Sequence, residues 1–312
     1  MEDREIIDRY TIKRYDYFPY RVKIEDRGEN FFSTKNEPWF INNEYGWYPD
    51  MNQMYDDFSK IFNIGKKNFI LTNGCENAMR IALEFYNFEY GSQILYTENS
   101  GWQMADVLGV ALGHDVIHYD YQYNSYSKKF LPLQSFDPQS DLVYTTDTYN
   151  SLFKHDNLNM DALYILDETY TMHQLLSGYE KPDQDIIVIG SLSKAYGPGY
   201  RLGYILFHES YNDIFQLLRE QYLSPAAGKL LQQLRHDGST VNPFESEIYS
   251  IEISDEYDGP PIVTTHPIYT TFQTDNVPMP HRKFEVSGIP FCRVGNTPNL
   301  LKMIRKDMPE QS

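Results

Sequence analysis

Seven short apolar runs through the middle of the chain constrain its fold more than any other feature: Phe69–Thr72, Gln93–Thr97, Asp115–Tyr119, Asp141–Thr145, Ala162–Leu166, Asp185–Ile189 and Leu202–Phe207. Each is too short for a helix to bury and has the length of a strand covered on both faces. Several gaps between them have helical spacing, notably Glu76–Tyr86 and Met104–Leu112. Strands alternating with helices mean βαβ units, hence an α/β fold around a mostly parallel, helix-covered sheet. Met51–Ile64 also has helical spacing, through Met54, Phe58, Ile61 and Phe62, and is expected to pack on that domain.

The 312 residues suffice for one large core, or for a main domain with a smaller one. A net charge of -17 with no extended basic patch argues against a nucleic-acid backbone or an anionic membrane as partner. Residues Met1 to Tyr10 are charged rather than apolar, so no signal peptide is expected, and no run is long enough to span a bilayer. The two cysteines, Cys75 and Cys292, are far apart and suggest neither a disulfide framework nor a metal site. A cytoplasmic location is the default expectation.

The sixth and seventh runs flank Gly190-Ser191-Leu192-Ser193-Lys194-Ala195-Tyr196-Gly197-Pro198-Gly199-Tyr200-Arg201-Leu202-Gly203-Tyr204. A lysine leaving a buried strand can be partly desolvated, which lowers its pKa and makes it a usable amine nucleophile. Ser191, Ser193 and Arg201 could together hold a phosphate, the arginine through a two-pronged contact. Taken alone, the same lysine is an ordinary solvated turn residue.

The fifth run ends in Tyr164-Ile165-Leu166-Asp167-Glu168-Thr169-Tyr170. A carboxylate closing a buried apolar strand needs a partner, because an unpaired ionised group there is costly. A protonated pyridine nitrogen is one such partner; a helix N-terminus is another. Earlier, Thr72-Asn73-Gly74-Cys75-Glu76-Asn77-Ala78 turns from strand into helix, and a glycine with free helix-terminal N–H groups suits a phosphate. Cys75 reads as a small buried side chain rather than a nucleophile.

Together these segments resemble the fold-type I pyridoxal-phosphate (PLP) enzymes, the aspartate-aminotransferase superfamily. The likeness is nearest to its histidinol-phosphate aminotransferase and threonine-phosphate decarboxylase branch. It rests most specifically on Ser191-x-Ser193-Lys194…Arg201-x-Gly203-Tyr204 and Asp167-Glu168-x-Tyr170, and extends from about Lys23 to about Leu301.

The resemblance implies a three-layer αβα large domain with a seven-stranded sheet, over residues 51–222. A shortened α+β part would comprise an N-terminal arm, 1–50, and a small C-terminal domain, 223–312. Lys194 would hold PLP as a Schiff base, and Asp167 would pair with the pyridine nitrogen. Ser191, Ser193, Arg201 and the backbone of Gly74, Cys75 and Glu76 would bind the phosphate. Trp102 would stack on the ring, and Asn150 and Tyr170 would bond its phenolic oxygen. Tyr48 would reach the cofactor phosphate of a neighbouring subunit, implying a homodimer. Arg293 would clamp a substrate α-carboxylate, and Asn30 belongs to the opening segment that borders substrate.

Three features depart from the family pattern. Arg201 follows Lys194 by seven residues where relatives have eight, the prolines and glycine usual around Asn150 are missing, and the C-terminal region is short. The implied activity is amino transfer between an amino acid and a 2-oxo acid. The same groups serve a decarboxylase, lyase or cyclase, and a PLP-fold protein without turnover, or a subunit needing a partner, is the rival of another class.

Overall fold

The computed structural model describes residues 50–91, 93–99, 101–124, 129–132, 136–137, 141–146, 162–170, 172, 175, 185–196, 198–237, 249–251, 263–265, 269–274, 282–286 and 288–295. Tyr48, Asn30 and Asn150 lie outside the described residues.

The strands are β1 (Phe69–Thr72), β2 (Ile94–Glu98), β3 (Asp115–Tyr119), β4 (Tyr121–Asn124), β5 (Lys129–Pro132), β6 (Asp141–Thr146), β7 (Leu163–Asp167), β8 (Ile186–Ser191) and β9 (Gly203–Leu206). Further along come β10 (Tyr249–Ile251), β11 (Val263–Thr265), β12 (Tyr269–Phe272), β13 (Arg282–Val286) and β14 (Ile289–Gly295). The helices are α1 (Met51–Phe62), α2 (Cys75–Tyr90), α3 (Gln103–Ala111), α4 (Ser193–Tyr196), α5 (Asn212–Leu218) and α6 (Pro225–Asp237).

All seven apolar runs become strands of one seven-stranded sheet, ordered β1-β9-β8-β7-β6-β2-β3. From β3 to β8 neighbouring strands are parallel, whereas β9 runs antiparallel to both β8 and β1. Strands β6 and β7 are buried throughout, as expected where helices cover both faces of a parallel sheet.

One face of the sheet packs on α1 and α6, through Phe58, Phe62, Leu230 and Leu231 against Phe69, Tyr204 and Leu206. Its other face packs on α2 and α5, where Phe207 and Phe215 stack at 4.1 Å. Asp50 caps α1 by accepting from the N–H groups of Asn52 and Gln53.

The second sheet, β10-β11-β12-β14-β13, is antiparallel throughout. Phe284, Val286 and Phe291 of that sheet share a core with Tyr119, Tyr121, Val143 and Tyr164 of the large one. Among the described residues no helix is long and apolar enough to cross a membrane, and no cluster of three or more His, Cys, Asp or Glu could hold a metal.

Candidate active site

Strand pairing assembles the site at one edge of the large sheet. Gly203, at the start of β9, is in register with Thr72 on one side and Ser191 on the other. The turn after β1, the residues before β9 and the end of β8 therefore form one row. This approach requires glycine: a Cβ on Gly203 would lie 2.5 Å from the Gly74 carbonyl carbon and 2.6 Å from Thr72 Oγ1. Gly74 has φ +93°, and its missing Cβ leaves room for the Arg201 guanidinium, which would stand 3.0 Å from such an atom. Arg201 donates from Nη2 to the Asn73 carbonyl at 3.0 Å.

The N–H groups of Gly74, Cys75 and Glu76, at the start of α2, donate to no acceptor among the described residues. Ser191 Oγ lies 2.9 Å from Ser193 Oγ and donates to the Leu202 carbonyl beside Arg201. Backbone donors, hydroxyls and one guanidinium thus surround a single turn, and these are the groups an anion needs. Arg201 itself takes a left-handed φ of +53°, a strained conformation for a non-glycine residue at the end of this short loop.

Asp167 ends β7, in register with Thr146 and Ile189, and is 6% exposed. Its carboxylate accepts from the Tyr144 hydroxyl at 2.8 Å and the Thr169 N–H at 2.9 Å, with the Cys75 thiol at 3.7 Å. All of these are neutral donors, and among the described residues no ion pair reaches it. Burial raises the Asp167 pKa, and the donors from Thr169, Tyr144 and Cys75 only partly offset this. The Cys75 thiol is pushed well up by burial and by the Asp167 charge, so it is a protonated donor and not a nucleophile.

Glu168, the next residue, turns the other way and accepts from the Tyr204 hydroxyl at 2.7 Å. Gly190 admits that tyrosine, since a Cβ there would meet the ring at 2.3 Å.

Lys194 stands in the one-turn helix after β8 and is exposed. Strand β8 ends at Ser191, and the helix carries the lysine beyond the buried sheet. Its Nζ is 5.0 Å from the centre of the Tyr170 ring. The Arg293 guanidinium, from β14, is 5.3 Å from the same ring. Burial would raise the Tyr170 pKa, but the charges of Lys194, Arg293 and Arg282 outweigh it and bring the phenol down to about 8. Trp102 precedes α3, half-buried, and packs against the core beneath α2 together with Cys75.

Four groups here escaped the sequence reading. Tyr144 supplies the hydroxyl on Asp167, yet within an apolar strand it reads as core. Arg282 lies directly opposite Arg293 across the β13–β14 pair and donates to the Gly101 carbonyl at 2.7 Å. Only strand register reveals that. Glu98, at the end of β2, is buried and accepts from Tyr121, Thr145 and Thr146. Asn73 bonds to residues far along the chain, which no local motif announces.

Residues 141–235 match the family model for aminotransferase class I and II. That segment contains Asp167, Tyr170, Lys194 and Arg201. None of the curated proteins matches the sequence.

Among solved structures, the chain is similar to a candidate histidinol-phosphate aminotransferase of Erwinia carotovora atroseptica SCRI1043. The TM-score is 0.55 at 13% identity, over 82% of this chain and 84% of that one. It is also similar to the L-threonine-O-3-phosphate decarboxylase of Porphyromonas gingivalis, with a TM-score of 0.54 at 14% identity, over 83% and 90% of the two chains. A histidinol-phosphate aminotransferase of Sinorhizobium meliloti, solved with pyridoxal-5'-phosphate, matches at a TM-score of 0.47 and 16% identity, over 62% of this chain and 57% of that one.

At these identities the structures show the fold, which is that of the PLP-dependent transferases. The matched segment is one of aminotransferase class I and II, and PLP is the cofactor with which the Sinorhizobium meliloti protein was solved. The residues present fit the group: a buried carboxylate with only neutral donors suits a pyridinium, and the donor-rich turn at Gly74 suits a phosphate.

Proposed function

We propose that the protein is a PLP-dependent aminotransferase that moves an amino group between an amino acid and a 2-oxo acid. The observation that supports this reading is the approach of Lys194 and Arg293 to one ring, that of Tyr170, 5.0 and 5.3 Å from its centre, three residues after the buried Asp167. When bound, PLP supplies an electron sink for a carbanion at the substrate α-carbon.

The chain's own residues do the rest. Lys194 would be the amine that links the cofactor, and would carry a proton to and from the substrate α-carbon as general base and acid. Asp167 stays ionised against the ring nitrogen and keeps it protonated. Ser191, Ser193, Arg201 and the N–H groups of Gly74, Cys75 and Glu76 anchor the phosphate. Tyr170 lends its hydroxyl to the phenolic oxygen, and Trp102 stacks on the ring.

Arg293 binds the α-carboxylate and so chooses which bond at the α-carbon is aligned for cleavage. Arg282, opposite it, adds a second positive charge on the same side. Asn150, Asn30 and Tyr48 complete the assignment by resemblance: Asn150 at the phenolic oxygen, Asn30 beside the substrate, and Tyr48 reaching across a homodimer. The corresponding division of the chain is a cofactor domain, 51–222, with an arm and a small domain from 1–50 and 223–312.

The test is the absorption spectrum of the purified protein with PLP, before and after adding a mixture of amino acids. A visible band of lysine-bound cofactor, converting to that of pyridoxamine phosphate, is the expected result. A band that persists without that conversion would replace the aminotransferase with a decarboxylase or lyase. No band in the presence of PLP would remove the enzyme reading.

A further inference from the structure

Asn73 uses every polar group it has, one on Arg201 and three on the short stretch Glu220, Tyr222 and Ser224. Its N–H donates to the Glu220 carboxylate, which also accepts from Asn77 Nδ2 at 2.6 Å at the positive end of α2. Its carbonyl accepts from Arg201 at 3.0 Å. Its side-chain amide donates to the Tyr222 carbonyl at 3.0 Å and accepts from the Ser224 N–H at 2.9 Å.

Ser224 is the start of α6: its hydroxyl accepts from the Ala226 N–H, and its carbonyl from the Ala227 N–H. Along its length α6 packs on α1 and the sheet through Ala227, Leu230, Leu231 and Leu234. One residue therefore joins the turn at Gly74 and the guanidinium of Arg201 to the connection between α5 and α6, which pack on opposite faces of the large sheet.

We infer that Asn73 is a positioning residue that makes phosphate occupancy of the Gly74 turn and the docking of residues 222–224 a single event. The inference rests on the reading of that turn as the phosphate site. Phosphate draws Arg201 and the α2 N–H groups into one geometry. Asn73, held between them, then presents its amide to Tyr222 and Ser224 at fixed distance. Without the anion the turn fluctuates, and the start of α6 fluctuates with it. Cofactor loading thereby sets the position of the segment that joins α5 to α6.

Amide exchange tests this on the full chain, with PLP and inorganic phosphate as probes. In the wild-type protein the Ser224 amide is expected to exchange about tenfold more slowly when either probe is present. In Asn73→Ala the amide exchanges at one rate with or without them. PLP should bind Asn73→Ala about tenfold more weakly, while pyridoxal, which lacks the phosphate, binds both proteins equally.

A Ser224 amide in the wild type that ignores both probes overturns the inference, and that measurement needs no variant. So does an Asn73→Ala protein that keeps its response, or one that loses PLP and pyridoxal in equal proportion. The PLP spectrum separates the two levels of the argument. A normal band with an unmoved Ser224 amide sinks this inference alone, whereas no band sinks the function reading, and inorganic phosphate still decides the coupling.

Discussion

Arg293 holds its guanidinium 5.3 Å from the centre of the Tyr170 ring, which joins the second sheet to the turn that follows β7. The Lys194 ammonium is 5.0 Å from the same ring. A phenol between two cations gains from both, through the ring and through its ionised form. The small sheet thus brings positive charge to a ring at the edge of the large one.

We predict that removing either arginine raises the Tyr170 pKa. The ordinary value is 10, and Lys194, Arg293 and Arg282 together bring it to about 8 against the opposing effect of burial. Arg293→Met should move it up more than Arg282→Met, following the order of their charges' effects on the phenol. Tyrosinate absorbance of each variant, taken as a difference against the same variant carrying Tyr170→Phe, reads the shift. Identical titrations in all three proteins would show that the charges do not act on the phenol.

Asp167→Asn is predicted to stabilise the cofactor-free protein while disabling the enzyme. In the absence of a cation the carboxylate is buried among neutral donors, and burial raises its pKa. Its ionised form therefore weakens the fold above its ordinary titration range. The asparagine removes that cost, so the melting temperature at pH 8 should rise. Turnover should fall at least a hundredfold, since breaking a buried charge pair costs about 3–5 kcal/mol. A lower melting temperature would mean that the hydrogen bonds from Tyr144 and Thr169 matter more than the buried charge.

The fold was largely legible because the strands of a helix-covered parallel sheet are continuous apolar runs. Phe69–Thr72 and Asp115–Tyr119 keep their expected limits, and the other five shift by one or two residues at their ends. Less was visible where pairing, not composition, makes the strand. Tyr121–Asn124 and Tyr249–Ile251 are short and polar, and only the partner strand identifies each. The site divides similarly. Asp167 and Lys194 stand in local motifs, whereas Arg282 depends on register with Arg293, and Asn73 on contacts with residues 201 to 224.

Glu98 should give the cofactor-free protein a stability that falls as pH rises through neutrality. Burial lifts its pKa from the ordinary 4.5 to about 7, despite donors from Thr146, Tyr121 and Thr145. Because the folded value lies above the unfolded one, its contribution is complete below about pH 4.5 and is lost as pH passes 7. The loss amounts to about 3 kcal/mol, from the size of the shift. Denaturation of wild type and Glu98→Gln at pH 5 and pH 8 isolates it. The variant should gain on the wild type between those values, and a difference independent of pH would rule the titration out.

Gly203→Ala should damage both stability and cofactor binding, because the new methyl meets backbone rather than a side chain that can turn aside. It would sit 2.5 Å from the Gly74 carbonyl carbon and 2.7 Å from its oxygen. Either β9 parts from β1 or the turn at Gly74 rotates, at a cost of about 1–3 kcal/mol. The first route weakens the sheet, and the second turns the N–H groups of Gly74 and Cys75 away from the phosphate. Gly199→Ala is the matched control, since a Cβ there has nothing within 4 Å. Thermal denaturation with a PLP titration of both variants distinguishes the routes. A lower melting temperature with unchanged affinity points to the strand alone, and a loss of both is the result expected for a turn that binds the cofactor.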